Sequence, residues 1–169
     1  MKPDYTGGGL VNLMASIVAG RGGAPPHPIL KNLSPEKVAE ARNVVLFIVD
    51  GLGDGYLMRR GAGGELARRR RGAITSVFPP TTASAITTSY TGCTPLEHGL
   101  TGWFTYFGEA GYVAGPLPFR TRGDMLPLRE KGFTPERAFP ARPIFESLDA
   151  RSIVVTSQQI IDSDYNVHH

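Results

Sequence analysis

The sequence Asn43-Val44-Val45-Leu46-Phe47-Ile48-Val49-Asp50-Gly51 decides the expected fold. It is an apolar run, rich in β-branched residues, that ends on a carboxylate and a glycine. Such a run, closed by a turn signal, predicts a strand that is buried on both faces of a parallel sheet. Asp50 is then expected at the carboxyl end of the strand, which is where ligands bind in open α/β sheets.

A second strand and a helix are expected next. Ile74-Thr75-Ser76-Val77-Phe78-Pro79-Pro80 predicts a short strand that two prolines end. In residues 81–92, small side chains recur at helical spacing, and Gly92 stands where a C-terminal cap would end the helix. Thr81 or Thr82 is therefore expected at the N-terminus of this helix.

The pairing of Asp50 with a helix-capping threonine has a chemical meaning. Unpaired N–H groups and the helix dipole stabilise a phosphate or an alkoxide at a helix N-terminus. A nearby Asp can hold a divalent cation that lowers the pKa of the hydroxyl and makes it a nucleophile. An ordinary Thr N-cap and an Asp in a turn would show the same spacing, and this plainer interpretation is the commoner one. Oxygen ligands alone suit zinc, manganese or magnesium.

The sequences of three segments favour the interpretation of Asp50 and the threonine as a metal and nucleophile pair. Val49-Asp50-Gly51-Leu52, Phe78-Pro79-Pro80-Thr81-Thr82-Ala83 and residues 91–102 (TGCTPLEHGLTG) resemble the type I phosphodiesterase/nucleotide pyrophosphatase family of the alkaline phosphatase superfamily, in its bacterial branch. The resemblance is strong in the first half of the chain and weak beyond it. It implies an α/β fold, alkaline phosphatase-like, with three α/β/α layers around a mostly parallel sheet and truncated in this chain.

The resemblance also implies a site and a reaction. Asp50 and Thr82 would bind one of two divalent metal ions, with zinc as the expected metal and the remaining ligands downstream of this chain. Thr82 would attack phosphorus and form a phosphothreonine intermediate, and Thr81 is the next candidate. The expected activity is metal-dependent hydrolysis of phosphodiester or pyrophosphate bonds in a small-molecule phosphate ester, such as a nucleotide. The 169-residue chain itself is expected to be inactive.

Two alternatives stay open. The chain could carry another chemistry of the superfamily: a phosphomonoesterase, phosphonate hydrolase, sulfatase or mutase. Cys93-Thr94-Pro95 begins like a sulfatase motif but lacks its Arg and lies at the wrong end of the helix. The other alternative is a truncated, non-catalytic domain whose aromatic segment binds a partner.

Residues 1–169 are expected to form the N-terminal portion of a single catalytic domain. The expected parts are an N-terminal helical segment and linker (1–42), a metal and nucleophile core (43–102), an irregular aromatic pocket segment (103–142), and a helix, a strand and a cut edge (143–169). Asp54 is expected in a turn, and His98 in a structural turn. The tail residues Asp162, Asp164, His168 and His169 do not follow the ligand pattern of the family, and the two histidines are expected to be either native residues at a cut edge or a tag remnant.

Composition excludes several classes of protein. The net charge of +3 comes largely from Arg59-Arg60 and from residues 68–71, which are expected to be solvated helix faces, so nucleic-acid binding is not expected. No run approaches the roughly 20 apolar residues that cross a bilayer, and residues 1–4 lack a secretory start. A cytoplasmic protein without membrane contact is therefore expected.

Overall fold

The computed structural model describes residues 2–169. The helices are α1 (Leu10–Gly20), α2 (Pro35–Ala39), α3 (Asp54–Arg60), α4 (Glu65–Arg68), α5 (Thr82–Thr91), α6 (Pro95–His98), α7 (Pro135–Ala138), α8 (Gln158–Ile161) and α9 (Asp164–His168), with 3-10 turns at Leu128–Lys131 and Ile144–Ser147. The strands are β1 (Thr105–Phe107), β2 (Tyr112–Gly115) and β3 (Arg120–Thr121). No helix in this part of the chain combines the length and the apolar character that spanning a membrane requires.

The prediction of a three-layer α/β/α fold around a mostly parallel sheet is wrong. Within residues 2–169 the sheet has three short antiparallel strands in the order β1-β2-β3. The only parallel pairing that the structure shows there is an isolated bridge between Gly9 and Thr75. The chain therefore combines helices with a small antiparallel sheet.

Residues 44–49, which were expected to form the central buried strand, are exposed and unpaired. Val45 is 85% exposed and Phe47 is 83% exposed. A strand is stabilised by ladder hydrogen bonds and by side chains on neighbouring strands, and the described residues provide neither for this segment. Residues 152–156 form no strand either: Val155 is 91% exposed, while Val154 is partly buried and packs against the main hydrophobic core. The β-branched and aromatic residues of these segments favour an extended chain. They do not show whether a partner strand is available.

The sheet lies in residues 103–142, which were expected to be irregular. β1 and β2 form a hairpin in which Tyr106 lies opposite Val113 and Phe107 lies opposite Tyr112. The loop between them ends at Gly111, whose φ of 72° is in the left-handed region that favours glycine. Two β-prone runs on either side of a Gly-containing loop are a recognised hairpin signal, which the prediction of an irregular segment overlooked.

The helix predicted in residues 81–92 is present as α5. Thr81 is the N-cap of α5, Thr82 is its first residue, and Gly92 ends it with a φ of 70°. The buried side of α5 packs into the main hydrophobic core, to which Ala83 and Tyr90 contribute. The segment after α6, the hairpin, the loops that follow it and α9 supply the rest of that core: Leu100, Phe107, Ala114, Leu117, Phe119, Leu128, Phe133, Phe139 and Tyr165. α5 is thus held firmly, and its N-terminus reaches the surface.

Candidate active site

Thr82 and Asp50 are in direct contact. Thr82 Oγ1 donates a hydrogen bond of 2.8 Å to Asp50 Oδ2, across 32 positions of sequence. Thr82 is half-buried and Asp50 is exposed, so a ligand can reach both. Next to Asp50 the chain turns at Gly51, which has a φ of 74° and open space around the position of a Cβ atom. The structure therefore brings together the two residues that the sequence singled out.

The start of α5 leaves backbone N–H groups available beside Thr82. The first hydrogen bond of the helix runs from Ala85 N to Thr81 O at 3.0 Å. Thr81 does not cap the helix with its side chain, and its Oγ1 lies 3.3 Å from Ser84 Oγ instead. The N–H groups of residues 82–84 are therefore not used within the helix. Together with the positive end of the helix dipole, they suit an anionic oxygen such as that of a phosphoryl group.

Ser84 holds this end of the helix in place. Its hydroxyl is fully buried and donates a hydrogen bond of 2.8 Å to Leu100 O. The bond ties the first turn of α5 to the segment that follows α6. Sequence reasoning missed this role, because the two residues are 16 positions apart and no local pattern links them.

His98 is a structural residue that lies in the core. It is 1% exposed, its Nδ1 accepts a hydrogen bond from Leu100 N at 3.1 Å, and its Nε2 lies 3.2 Å from Thr88 Oγ1. An imidazole whose Nδ1 accepts and whose Nε2 donates is neutral. Burial favours this neutral form and lowers the pKa of His98 to about 4. These contacts give His98 no path to Thr82.

The His98 environment predicts acid-sensitive stability. An unfolded histidine has a pKa of about 6.5, so between about pH 6.5 and pH 4 the unfolded chain binds more protons than the folded one. The free energy of unfolding should therefore fall as the pH is lowered through this window, by about 3 kcal/mol for a shift of this size. Partly buried His169, whose pKa is also lowered to about 4, adds to the effect. His98→Gln, which replaces the imidazole near Thr88 with an amide that does not titrate, should flatten the pH dependence of urea unfolding, and an unchanged slope would contradict the assignment.

Cys93 is not placed to act as a nucleophile with Thr82. It follows Gly92, at the opposite end of α5. Burial, and then the nearby Glu97 carboxylate, raise the pKa of the Cys93 thiol. Because the thiolate is the reactive form, a raised pKa makes this cysteine less reactive. The sulfatase-like start of Cys93-Thr94-Pro95 therefore gains no support from the structure.

Asp54 and the Arg clusters form surface ion pairs. Asp54 is hydrogen-bonded to Arg70, which lowers the pKa of the Asp54 carboxyl. Arg68 and Arg69 both bind the Glu65 carboxylate. These side chains are largely exposed, as expected for solvated helix faces. Asp54 is thus engaged by a cation and does not face Thr82.

The C-terminal segment packs on the far part of α5. The hydroxyl of Tyr165, a fully buried residue, lies 2.8 Å from Thr87 Oγ1, and the Tyr90 hydroxyl donates to Asn166 Oδ1 at 3.0 Å. With a rise of 1.5 Å per residue, Thr87 and Tyr90 lie about 7 and 12 Å along the helix from Thr82. The segment is therefore part of the core and sits away from the Thr82 end.

The acidic and histidine side chains of this segment have other contacts. Asp164 forms an ion pair of 2.8 Å with Arg129, and His168 Nδ1 lies 3.9 Å from Glu136. His169 packs among aromatic rings, and its Nδ1 lies 3.0 Å from the carbonyl oxygen of Tyr165. None of these contacts brings a ligand toward Asp50.

Among the described residues, Asp50 and Thr82 alone do not make a complete metal site. The Asp50 carboxylate and the Thr82 hydroxyl have the oxygen chemistry that a divalent ion accepts. No group of three or more His, Cys, Asp or Glu side chains that could hold a metal occurs in residues 2–169. Specific zinc sites have at least three protein ligands, so these two oxygens alone do not fit a complete zinc site.

The geometry defines a class of site: a hydroxyl beside a carboxylate, at a helix end suited to a phosphoryl group. The comparison with known families agrees with it. A model of the family described as Type I phosphodiesterase / nucleotide pyrophosphatase matches residues 44–115, which include Asp50 and Thr82. This match confirms the resemblance over that range and supports a hydrolase of that family. No curated protein and no solved structure matches the chain.

Proposed function

We propose that this chain carries the nucleophile end of a metal-dependent hydrolase that cleaves phosphodiester or pyrophosphate bonds. The hydrogen bond of 2.8 Å from Thr82 Oγ1 to Asp50 Oδ2 is the observation that carries the proposal. It puts a hydroxyl and a proton acceptor together at the first residue of α5. The family match over residues 44–115 supports a phosphate ester or nucleotide as substrate.

Thr82 acts as the nucleophile in this proposal. Its Oγ1 forms a bond to phosphorus while the bond from phosphorus to the leaving oxygen breaks, and its proton is directed at Asp50 Oδ2. The N–H groups of residues 82–84 stabilise the charge on the phosphoryl oxygens. Water then cleaves the phosphothreonine and restores the hydroxyl.

Asp50 and Thr82 are two of the expected ligands of a divalent ion, and zinc is the metal that the resemblance implies. When bound, such an ion lowers the pKa of a coordinated hydroxyl and stabilises charge on phosphoryl oxygens. Two ligands do not complete the site, so the active protein needs further ligands from outside the residues described. In this proposal, residues 1–169 are the N-terminal portion of the catalytic domain.

A panel of chromogenic esters tests the class of reaction. In a form of the protein that holds its metal, bis-p-nitrophenyl phosphate and a nucleotide p-nitrophenyl ester should be cleaved at least about tenfold faster than p-nitrophenyl phosphate or p-nitrophenyl sulfate. Faster cleavage of the monoester would point to a phosphomonoesterase. Cleavage of the sulfate alone would contradict the proposal.

A further inference from the structure

The three-stranded sheet has a solvent-facing side that the core does not use. Phe107, Tyr112 and Ala114 share one face by register, and Phe107 and Ala114 on it belong to the core. Side chains alternate along a strand, so the residues between them lie on the opposite side. We call this side the outer face: Phe104, Tyr106, Val113, Arg120 and Arg122.

The outer face exposes large apolar side chains to solvent. Tyr106 is 66% exposed, Phe104 is 45% exposed and Val113 is 40% exposed. Tyr106 and Val113 lie directly opposite each other on β1 and β2. Adjacent exposed aromatic and aliphatic side chains on one sheet face form a flat apolar platform, and such patches mark binding sites.

Two arginines border this platform. The Arg122 guanidinium lies over the Phe104 ring, 4.8 Å from its centroid, and Arg122 N bonds to Val113 O at 2.8 Å. The Arg120 side chain donates to the backbone oxygen of Met125 at 2.8 Å. Neither guanidinium forms an ion pair with a carboxylate among residues 2–169. The platform therefore combines aromatic rings with uncompensated positive charge.

We propose that the outer face is a binding site for a nucleotide. The base would stack on Tyr106 and on the free plane of the Arg122 guanidinium, and the phosphate would pair with Arg120. Aromatic side chains and arginine planes on an exposed sheet surface bind bases in this way, because every base has a π face. A simple anion would leave the rings unused, and a purely apolar partner would bury two unpaired cations at high cost.

This site is separate from Thr82, and the proposal does not depend on the chemistry of Thr82. The face of the sheet that packs toward α5 carries Phe107 and Ala114, which share the core cluster with Ala83. The outer face points the other way. It would hold a nucleotide beside the hydrolase site without contacting the nucleophile.

The fluorescence of the single tryptophan can measure binding at the outer face. Trp103 precedes Phe104 and is 43% exposed, so its fluorescence should change when a base stacks on the outer face. Titration of the chain with AMP should give saturable binding at least about tenfold tighter than that of ribose 5-phosphate, which lacks the base, or of adenosine, which lacks the phosphate.

Variants locate the site. Tyr106→Ala and Arg122→Gln should each weaken AMP binding by about fivefold or more, since each removes one of the proposed contacts. The matched controls are Tyr56→Ala, an exposed tyrosine on α3, and Lys131→Gln, whose cation lies 5.6 Å from the centroid of the Tyr112 ring, on the core side of the sheet. Both controls should bind AMP as the parent chain does.

Three results would overturn the proposal. The first is the absence of saturable AMP binding to the chain. The second is equal binding of AMP and ribose 5-phosphate, which would indicate attraction of any phosphate. The third is normal AMP binding in both Tyr106→Ala and Arg122→Gln, which would place the nucleotide away from the outer face.

Discussion

Thr82→Ala is expected to abolish phosphodiester hydrolysis, by at least about 1,000-fold in turnover, in a form of the protein that holds its metal ions. The oxygen that attacks phosphorus would be gone, and a methyl group cannot replace it. The N–H groups of residues 82–84 would still bind the phosphoryl group, so substrate affinity should change much less than turnover. Initial rates on bis-p-nitrophenyl phosphate over a range of concentrations separate the two effects.

The neighbouring threonine provides the matched control. Thr81 is the N-cap, with no capping bond from its side chain, and its Oγ1 lies 3.3 Å from Ser84 Oγ and not from Asp50. Thr81→Ala should therefore keep most of the activity, and Thr82→Ser should keep a measurable part because it retains a hydroxyl. Both positions are at the surface end of α5, so each Ala variant should cost no more than about 1 kcal/mol of stability. The opposite ranking of the two Ala variants would move the nucleophile to Thr81.

The helix in residues 81–92 was predictable because its signals are local. Gly92 at a left-handed φ marks the end of α5, and Ser34 and Pro35 are a similar local signal at the start of α2. Each signal lies within one turn of the helix end that it determines. Such boundaries depend little on the rest of the chain, so the sequence was enough to place them.

The sheet was not predictable in the same way. The β propensity of residues 44–49 is real, but pairing is a long-range property, and the segment finds no partner among residues 2–169. The hairpin at residues 105–115 was mistaken for irregular chain, because its strands have three and four residues and show little alternation.

The contact between Asp50 and Thr82 was expected for a reason that the structure does not support. The expectation used the carboxyl edge of a parallel sheet, and no such sheet is seen in the residues described. The contact is nevertheless present, at 2.8 Å. The sequence motifs around both residues, and not the expected sheet, identified the pair.

The 169-residue chain is expected to bind zinc weakly and to have no esterase activity. Asp50 and Thr82 supply one carboxylate and one hydroxyl, and water would have to fill the other positions around the ion. Calorimetric titration should show no stoichiometric binding at about 10 µM zinc, a concentration at which a site with three or four protein ligands would be saturated. Without a bound ion the pKa of the Thr82 hydroxyl is not lowered, so it remains a poor nucleophile at neutral pH.

Tight, stoichiometric zinc binding with turnover would contradict this prediction, and three variants would then show where the ion lies. Asp50→Asn removes the carboxylate beside Thr82, whereas Asp164→Asn and His168→Gln change the C-terminal segment. Loss of binding in all three would mean that the C-terminal segment reaches Thr82. For that, Asp164 would have to leave Arg129, and the buried contact of Tyr165 with Thr87 would have to break. Since breaking this core contact is costly, we expect residues 164–169 to stay packed on α5 and the Thr82 site of this chain to remain short of ligands.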